Sequence, residues 1–330
     1  MSNPYSGTNV FEFIALFVQR VIFFATGQLG WKDIAIDEVQ IFVLSLVALS
    51  AAFVGTFLVL RKMAMLANAL SHTLLLGIAL AFLILAPSAH SLPLPVLLLA
   101  ALASALLTSF MTYACKRWFS LSEDVSTGLV FTTLFALGIV IVSGWMRNTH
   151  LGIEAIMGNA DALHKNDLVF TFWIAMINVL SIILLYRGWK VTTFDPAFAK
   201  MSGFSPLFFH MVLLLITAMT AVAAFRAVGV MLALSFFVTP LLCARLLCSR
   251  LLTVLCVSAG IGIGSVLLSV ALSRHFLTVH GLAFSTGGLT CCCLGAVLFI
   301  IWIGKKIREK GENPDIFANA GSNVVTFHPR

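Results

Sequence analysis

The run Asp37-Glu-Val-Gln-Ile-Phe-Val-Leu-Ser-Leu-Val-Ala-Leu-Ser-Ala-Ala-Phe-Val-Gly-Thr-Phe-Leu-Val-Leu-Arg61-Lys62 decides the architecture. Residues 40–60 carry no charge, with two acids before them and two bases after. A helix of about 20 apolar residues crosses the ~30 Å hydrocarbon layer of a bilayer, so the segment reads as a membrane span. Outward from it the pattern recurs at 66–86, 94–114, 125–146, 168–186, 207–225, 228–247, 251–272 and 283–303. The third span closes on Lys116-Arg117 and the last on Lys305-Lys306, while Pro87, Pro93 and Pro95 punctuate the connection between the second and third. Residues 10–27 form another apolar stretch, interrupted by Gln19 and Arg20, which reads either as a further span or as a helix lying along the interface. It shows no small-residue cleavage site of the kind that ends a signal peptide.

The expected fold is an all-α integral membrane protein, a polytopic bundle of eight or nine transmembrane helices. An N-terminal amphipathic or membrane-inserted segment covers 1–38, the transmembrane domain 39–304, and a cytoplasmic C-terminal tail 305–330. Composition agrees: 60% of the residues are hydrophobic and 10% charged, with a mean hydropathy of +1.05. Soluble domains carry about 25% charged residues, so this much apolar surface needs lipid to face.

The net charge of +7 does not point to nucleic acid, because the positive residues sit in short clusters between apolar runs. With residues 61–65 placed in the cytoplasm and the spans alternating, fourteen of the 20 Lys and Arg residues fall inside. Lys32, Arg147, Lys165, Arg226 and Arg274 fall outside, and Arg20 is unassigned. That bias sets the orientation and puts the C-terminus in the cytoplasm.

None of the 13 acidic residues lies inside a span, and Lys and Arg are absent from span interiors, Arg245 standing at the end of its span. A buried charge at the bilayer centre costs a few kcal/mol or more, a cost that proton-coupled transporters accept for their relay. Its absence here indicates that energy enters from elsewhere. The chain has no G-x-x-x-x-G-K-[ST] phosphate loop, no H-E-x-x-H and no aspartate-rich magnesium motif, so it is read as a non-enzyme. The seven cysteines form no disulfide framework or zinc knuckle, and Cys291-Cys292-Cys293 cannot all reach one ion from consecutive helical positions, which makes them small packing residues.

Four features stand out from this background. His72 is the titratable residue well inside a span, with Asn68 on the same helix face at i−4 and Ser71 adjacent. These three either line a polar pathway or hydrogen-bond a neighbouring helix for packing. Residues 187–206 read as the longest inside loop, and within it Asp195 is a good N-cap, Pro196 suits the first helical position, and Gly203 is a C-terminal stop. The resulting short helix, with Phe194 and Phe198, reads as a docking element or as a helix resting on headgroups. Gly260 and Gly264 form a G-x-x-x-G that predicts close helix approach.

Several stretches, in order across roughly residues 50–290, resemble the permease subunit of bacterial ATP-binding cassette importers for zinc, manganese and iron. They are Gly55-Thr-Phe-Leu-Val-Leu-Arg-Lys-Met-Ala-Met-Leu-Ala-Asn-Ala-Leu-Ser-His72 and its continuation to Phe82, Met157-Gly-Asn with Asp167-Leu168, Thr193-Phe-Asp-Pro-Ala-Phe-Ala-Lys-Met-Ser-Gly203, Val228 to Arg245, and Gly281 to Gly288. The resemblance implies a metal permease working with a cytoplasmic ATPase pair, an extracytoplasmic metal-binding protein and a second permease subunit. It implies no permanently bound cofactor, the divalent metal ion being cargo, and an inner-membrane location. It also assigns residues 194–203 as the helix that couples to the ATPase. The chain departs from the family pattern in one place: the family's Gly-Asp pair before Ala-Leu-Ser-His is Ala67-Asn68 here. An amide oxygen holds a cation less well than a carboxylate, and a paralogous partner subunit that keeps the Asp would explain the change. The rival reading is a secondary transporter or channel for a small solute.

Overall fold

In the computed structural model the described residues are 4, 5, 7, 9–27, 30, 34–85, 94–145, 160, 161 and 163–312, and among them every regular element is helical. The helices are α1 (Val10–Ala25), α2 (Ile36–Leu60), α3 (Ala64–Leu85), α4 (Leu94–Phe119), α5 (Glu123–Trp145), α6 (Lys165–Phe194), α7 (Pro196–Met201), α8 (Pro206–Val228), α9 (Val230–Leu247), α10 (Leu251–His280) and α11 (Thr286–Glu312). Nine of them, α2 to α6 and α8 to α11, are long and apolar enough to cross a membrane. The spans read from the sequence therefore each correspond to one helix.

The helices overrun the lipid-sized segments. α6 runs 30 residues, to Phe194, so Arg187 to Thr193 are helical where a loop was expected. The backbone hydrogen-bond ladder continues past the point where the side chains turn polar, and it stops at Asp195, before a proline that cannot continue the ladder. α10 likewise extends to His280, where Gly281 ends it with a left-handed φ of 65°. α1, at 16 residues, spans about 24 Å and is too short to cross the hydrocarbon layer. Phe13 and Phe17 of α1 are buried, whereas Phe11 and Val18 are exposed.

α2 is the hub. It packs against α6, α8, α9 and α10, which is why it is apolar on every face. Val43, Leu44, Val54 and Phe57 are fully enclosed. At Gly55 a side chain would run into the backbone carbonyl of Phe237, so glycine lets α2 and α9 touch backbone to backbone. α3 packs chiefly on α4 and α5, where Gly77 meets the Ala100 carbonyl and Gly138 meets Leu76.

Gly260 and Gly264 do not perform the close packing expected of them: a Cβ at either would meet nothing within 4 Å. The glycine between them does, since a Cβ on Gly262 would lie 3.2 Å from that of Ala48. The i, i+4 pair lies on the face of α10 turned away from the bundle, and the spacing alone could not reveal which face is buried. Hydroxyl and amide pairs tie helices together inside the apolar layer: Thr108 to Thr73 at 2.8 Å, Asn178 to Thr220 at 2.7 Å, and Ser269 with Thr290 at 2.6 Å. Cys291 contacts Ser235 at 3.4 Å, while Cys292 is exposed, so the cysteine run diverges as a helix dictates.

Ion pairs collect at one end of the bundle. Arg274 of α10 pairs with the buried Asp37 of α2, Arg20 of α1 with Glu38, and Arg226 of α8 with Asp167 of α6 at 2.6 Å. Tyr5 donates to Glu38 at 2.7 Å, and burial, followed by that carboxylate, pushes its phenol pKa up. Asp161 accepts from the Thr286 backbone N–H at 3.2 Å and so caps α11, while Gln40 donates to the Ala160 carbonyl at 2.8 Å and the Thr286 hydroxyl at 2.7 Å. The starts of α2, α6 and α11 and the ends of α8 and α10 thus share this end, as alternating spans require. Arg20, unassigned from the sequence, belongs here too. Arg147 and Lys32 lie outside the described residues.

Candidate functional site

Two places carry the sequence's candidate residues, one on α3 and one at the bundle end opposite the ion pairs. On α3, Leu66, Ala67, Ala69, Leu70 and Thr73 are buried in the bundle, whereas Asn68 and His72 are half-buried on its flank. The i, i+4 pair therefore shares one face, as expected. The His72 imidazole packs against two rings of α5, 5.2 Å from Phe131 and 5.3 Å from Phe135. Those rings, themselves four residues apart and 5.9 Å from each other, fix the imidazole without using up its nitrogens. Ser71 lies in α3, and its side chain is outside the described residues. Among the described residues no three His, Cys, Asp or Glu side chains gather into a metal cage.

The sequence reading missed the buried hydroxyls of α4 and α5. Thr108, Ser109 and Thr112 of α4 and Ser126 and Thr127 of α5 are all buried, and the hydroxyls of Ser109, Thr112 and Ser126 find no hydrogen-bond partner among the described residues. Buried hydroxyls of this kind normally hold a partner or an ordered water. The run Thr108-Ser109 with Thr112 was the available signal, but only the packing of α4 on α3 gives it meaning.

At the opposite end, α7 forms as read from the sequence. One carboxylate oxygen of Asp195 accepts from the backbone N–H groups of Ala197 at 3.0 Å and Phe198 at 2.9 Å. Gly203, with φ of 81°, closes the helix: its N–H reaches the Lys200 carbonyl at 3.3 Å, and the Phe204 N–H reaches that of Ala199 at 2.9 Å. Between these stops Ala199 is buried against the bundle and Phe198 is 57% exposed, while Phe194, the last residue of α6, is 61% exposed. A short helix anchored by one small residue, with its own phenyl ring and that of the end of α6 turned outward, is a pre-formed contact surface.

Arg61, in the turn between α2 and α3, braces this element. It donates to the hydroxyls of Thr192 at 2.8 Å and Thr193 at 3.1 Å, and it lies 5.5 Å over the ring of Trp189. Trp189 is fully buried, with Phe57 at 5.0 Å and Phe209 at 5.4 Å. The end of α6, from which α7 hangs, is thus tied to the turn that begins α3, seven residues before Asn68.

Residues 38–305 match the ABC 3 transport family. A relative from Chlamydia muridarum, described as "Probable metal transport system membrane protein", is 35% identical over 302 residues, covering 92% of this chain and 93% of that one. The manganese transport system membrane protein MntD of Bacillus subtilis is 38% identical over 230 residues, 66% of this chain and 76% of its own length. The structure of PsaBC from Streptococcus pneumoniae in complex with Fab superposes with a TM-score of 0.67 at 22% identity, covering 88% of this chain and 95% of that one, a likeness of fold.

Proposed function

The chain belongs to the ABC 3 transport family as a metal-importer permease, and from that premise we propose that its cargo is manganese and that a separate cytoplasmic ATPase, docked on α7, powers it. The observation that carries the reading is α7 itself: a capped helix whose exposed Phe198, with Phe194 at the end of α6, offers two phenyl rings at the bundle end opposite the ion pairs. The missing phosphate loop supports it, since ATP must then be hydrolysed by another subunit. Support for manganese comes from relatives, MntD of Bacillus subtilis and MntC of Halalkalibacterium halodurans, which are named as manganese transport proteins.

In this reading His72 lines the path and Asn68 sets its strength from this side, with Ser71 beside them. Neutral imidazole is a good ligand for manganese, zinc or iron. The half-buried flank of α3 supports the assignment, because a surface left incomplete within one chain suits an aqueous path shared with a second permease subunit, either a copy of this chain or a paralogue. An extracytoplasmic metal-binding protein would deliver the ion at the ion-paired end. Purification of the tagged chain from its own bacterium is expected to bring down a Walker-motif ATPase, and the reconstituted complex to take up manganese only with ATP. Uptake without ATP, and with no associated ATPase, would leave the secondary-transporter reading instead.

The charge bias orients the molecule with Arg61, Lys62 and α7 in the cytoplasm. The arginines assigned outside within the described residues support this, since Arg226 and Arg274 are neutralised by Asp167 and Asp37. In a cysteine-free background, a cysteine at position 62 should react with an impermeant thiol reagent only in inverted vesicles, and one at position 165 only in intact cells. Labelling of position 62 from outside would reverse the orientation and remove the docking role of α7.

A further inference from the structure

A cavity of about 530 Å³ opens at the bundle end that carries α7, among the end of α2, the end of α4, α7 and the start of α8. Four cations line it: Arg61, Lys62, Lys116 and Lys200. Tyr113 and His210 add polar atoms, their rings 5.3 Å apart. Among the described residues no acidic side chain lines it. Leu60, Met63 and Leu207 supply apolar lining. The start of α8 also faces the cavity, adding the positive end of a 23-residue helix.

The backbone points the same way. Lys62 occupies the position after α2 where its N–H closes on Val59 and the next N–H closes on Leu58, the turn that glycine usually makes. Lys62 makes it with φ of 61°, a left-handed conformation that a side-chain-bearing residue adopts only at a cost. The cost is borne at a residue that lines the cavity. Arg61 is fixed by Thr192 and Thr193, so its guanidinium is pre-organised rather than mobile.

We infer that this cavity binds the phosphate headgroup of an anionic phospholipid from the adjacent leaflet. The ligand must be anionic to suit four cations, and it must carry acyl chain to suit the apolar wall. The cavity lies where spans α2 and α4 end, which in the membrane reading with α7 in the cytoplasm is the headgroup layer where anionic lipids are abundant. A soluble phosphate would use the cations and leave the wall unused. The inference rests on the membrane reading of the fold but on neither the metal nor the ATPase.

The test uses the full-length chain with whatever subunits co-purify, in nanodiscs of phosphatidylcholine with rising phosphatidylglycerol. Wild type is expected to gain thermal stability with phosphatidylglycerol and to retain it through detergent extraction, as read by native mass spectrometry. The double variant Lys62→Gln/Lys116→Gln should retain roughly thirtyfold less, given the attraction each basic residue has for an anionic leaflet, while its phosphatidylcholine content stays the same. Equal phosphatidylglycerol retention in the two proteins overturns the inference. Millimolar inorganic phosphate that stabilises wild type as well as phosphatidylglycerol does would assign the cavity to a soluble anion, against the proposal. Loss of a co-purifying subunit with lipid retention unchanged would assign it to a protein carboxylate, also against it. Lack of ATP-driven uptake would sink the proposed function and leave this readout intact.

Discussion

Asp195→Ala is expected to leave ATP hydrolysis running while metal uptake falls. The Asp195 carboxylate satisfies two backbone N–H groups at the start of α7 and is the side chain that caps the helix. Loss of an N-cap costs about 1 kcal/mol, which makes the capped geometry roughly fivefold less favoured. In a helix of six residues no interior ladder compensates. Ala199 would lose its seat against the bundle, and Phe198 its fixed direction. Movement of a docked ATPase could then no longer reach Arg61 and the head of α3 through α6. Asp195→Asn, which keeps a cap, should retain most of the coupling. Manganese uptake and ATP turnover measured on the same proteoliposomes decide it: an unchanged ratio of ions moved to ATP consumed in Asp195→Ala removes the coupling role of α7.

The parts of this structure that were legible in the sequence are those set by one dimension of the bilayer or by local hydrogen bonding. Span positions follow from hydrocarbon thickness, so α2 to α6 and α8 to α11 could be placed, and the α7 stops follow from Asp195, Pro196 and Gly203 alone. Helix ends beyond the lipid were not legible, because nothing apolar marks where Arg187 to Thr193 stop being helical. Faces were not legible either. Gly260, Gly262 and Gly264 differ only in which way they point, and that is fixed by Ala48, distant in the chain. Arg61 read as a topology marker, yet its partners Thr192 and Thr193 lie more than a hundred residues away. Phe131 and Phe135 have the spacing of a shared helix face, but only the packing of α5 on α3 makes them the walls of His72.

His72→Ala is expected to cut manganese uptake per folded complex by roughly tenfold or more, the loss typical even when a metal ligand's supporting partner is removed. The imidazole is half-buried on the flank of α3, held by Phe131 and Phe135, with Asn68 one turn away. Ring contacts of this kind contribute about 1 kcal/mol, so His72→Ala should lower stability slightly and leave the amount of folded protein in the membrane nearly unchanged. A packing role makes the opposite pattern: abundance falls, His72→Phe restores it by refilling the space, and uptake per folded complex stays at the wild-type level. Asn68→Asp separates the accounts further. It adds a carboxylate at i−4 from the imidazole, giving a cation an oxygen with full charge in place of an amide. The path should then bind manganese more tightly and release it more slowly, because conduction needs a site weak enough to leave. The double variant Asn68→Asp/His72→Ala should recover part of the binding but not the rate. Uptake normalised to folded complex, with manganese affinity measured separately for each variant, reads all of these. His72→Ala transporting at the wild-type rate per complex would take His72 off the path.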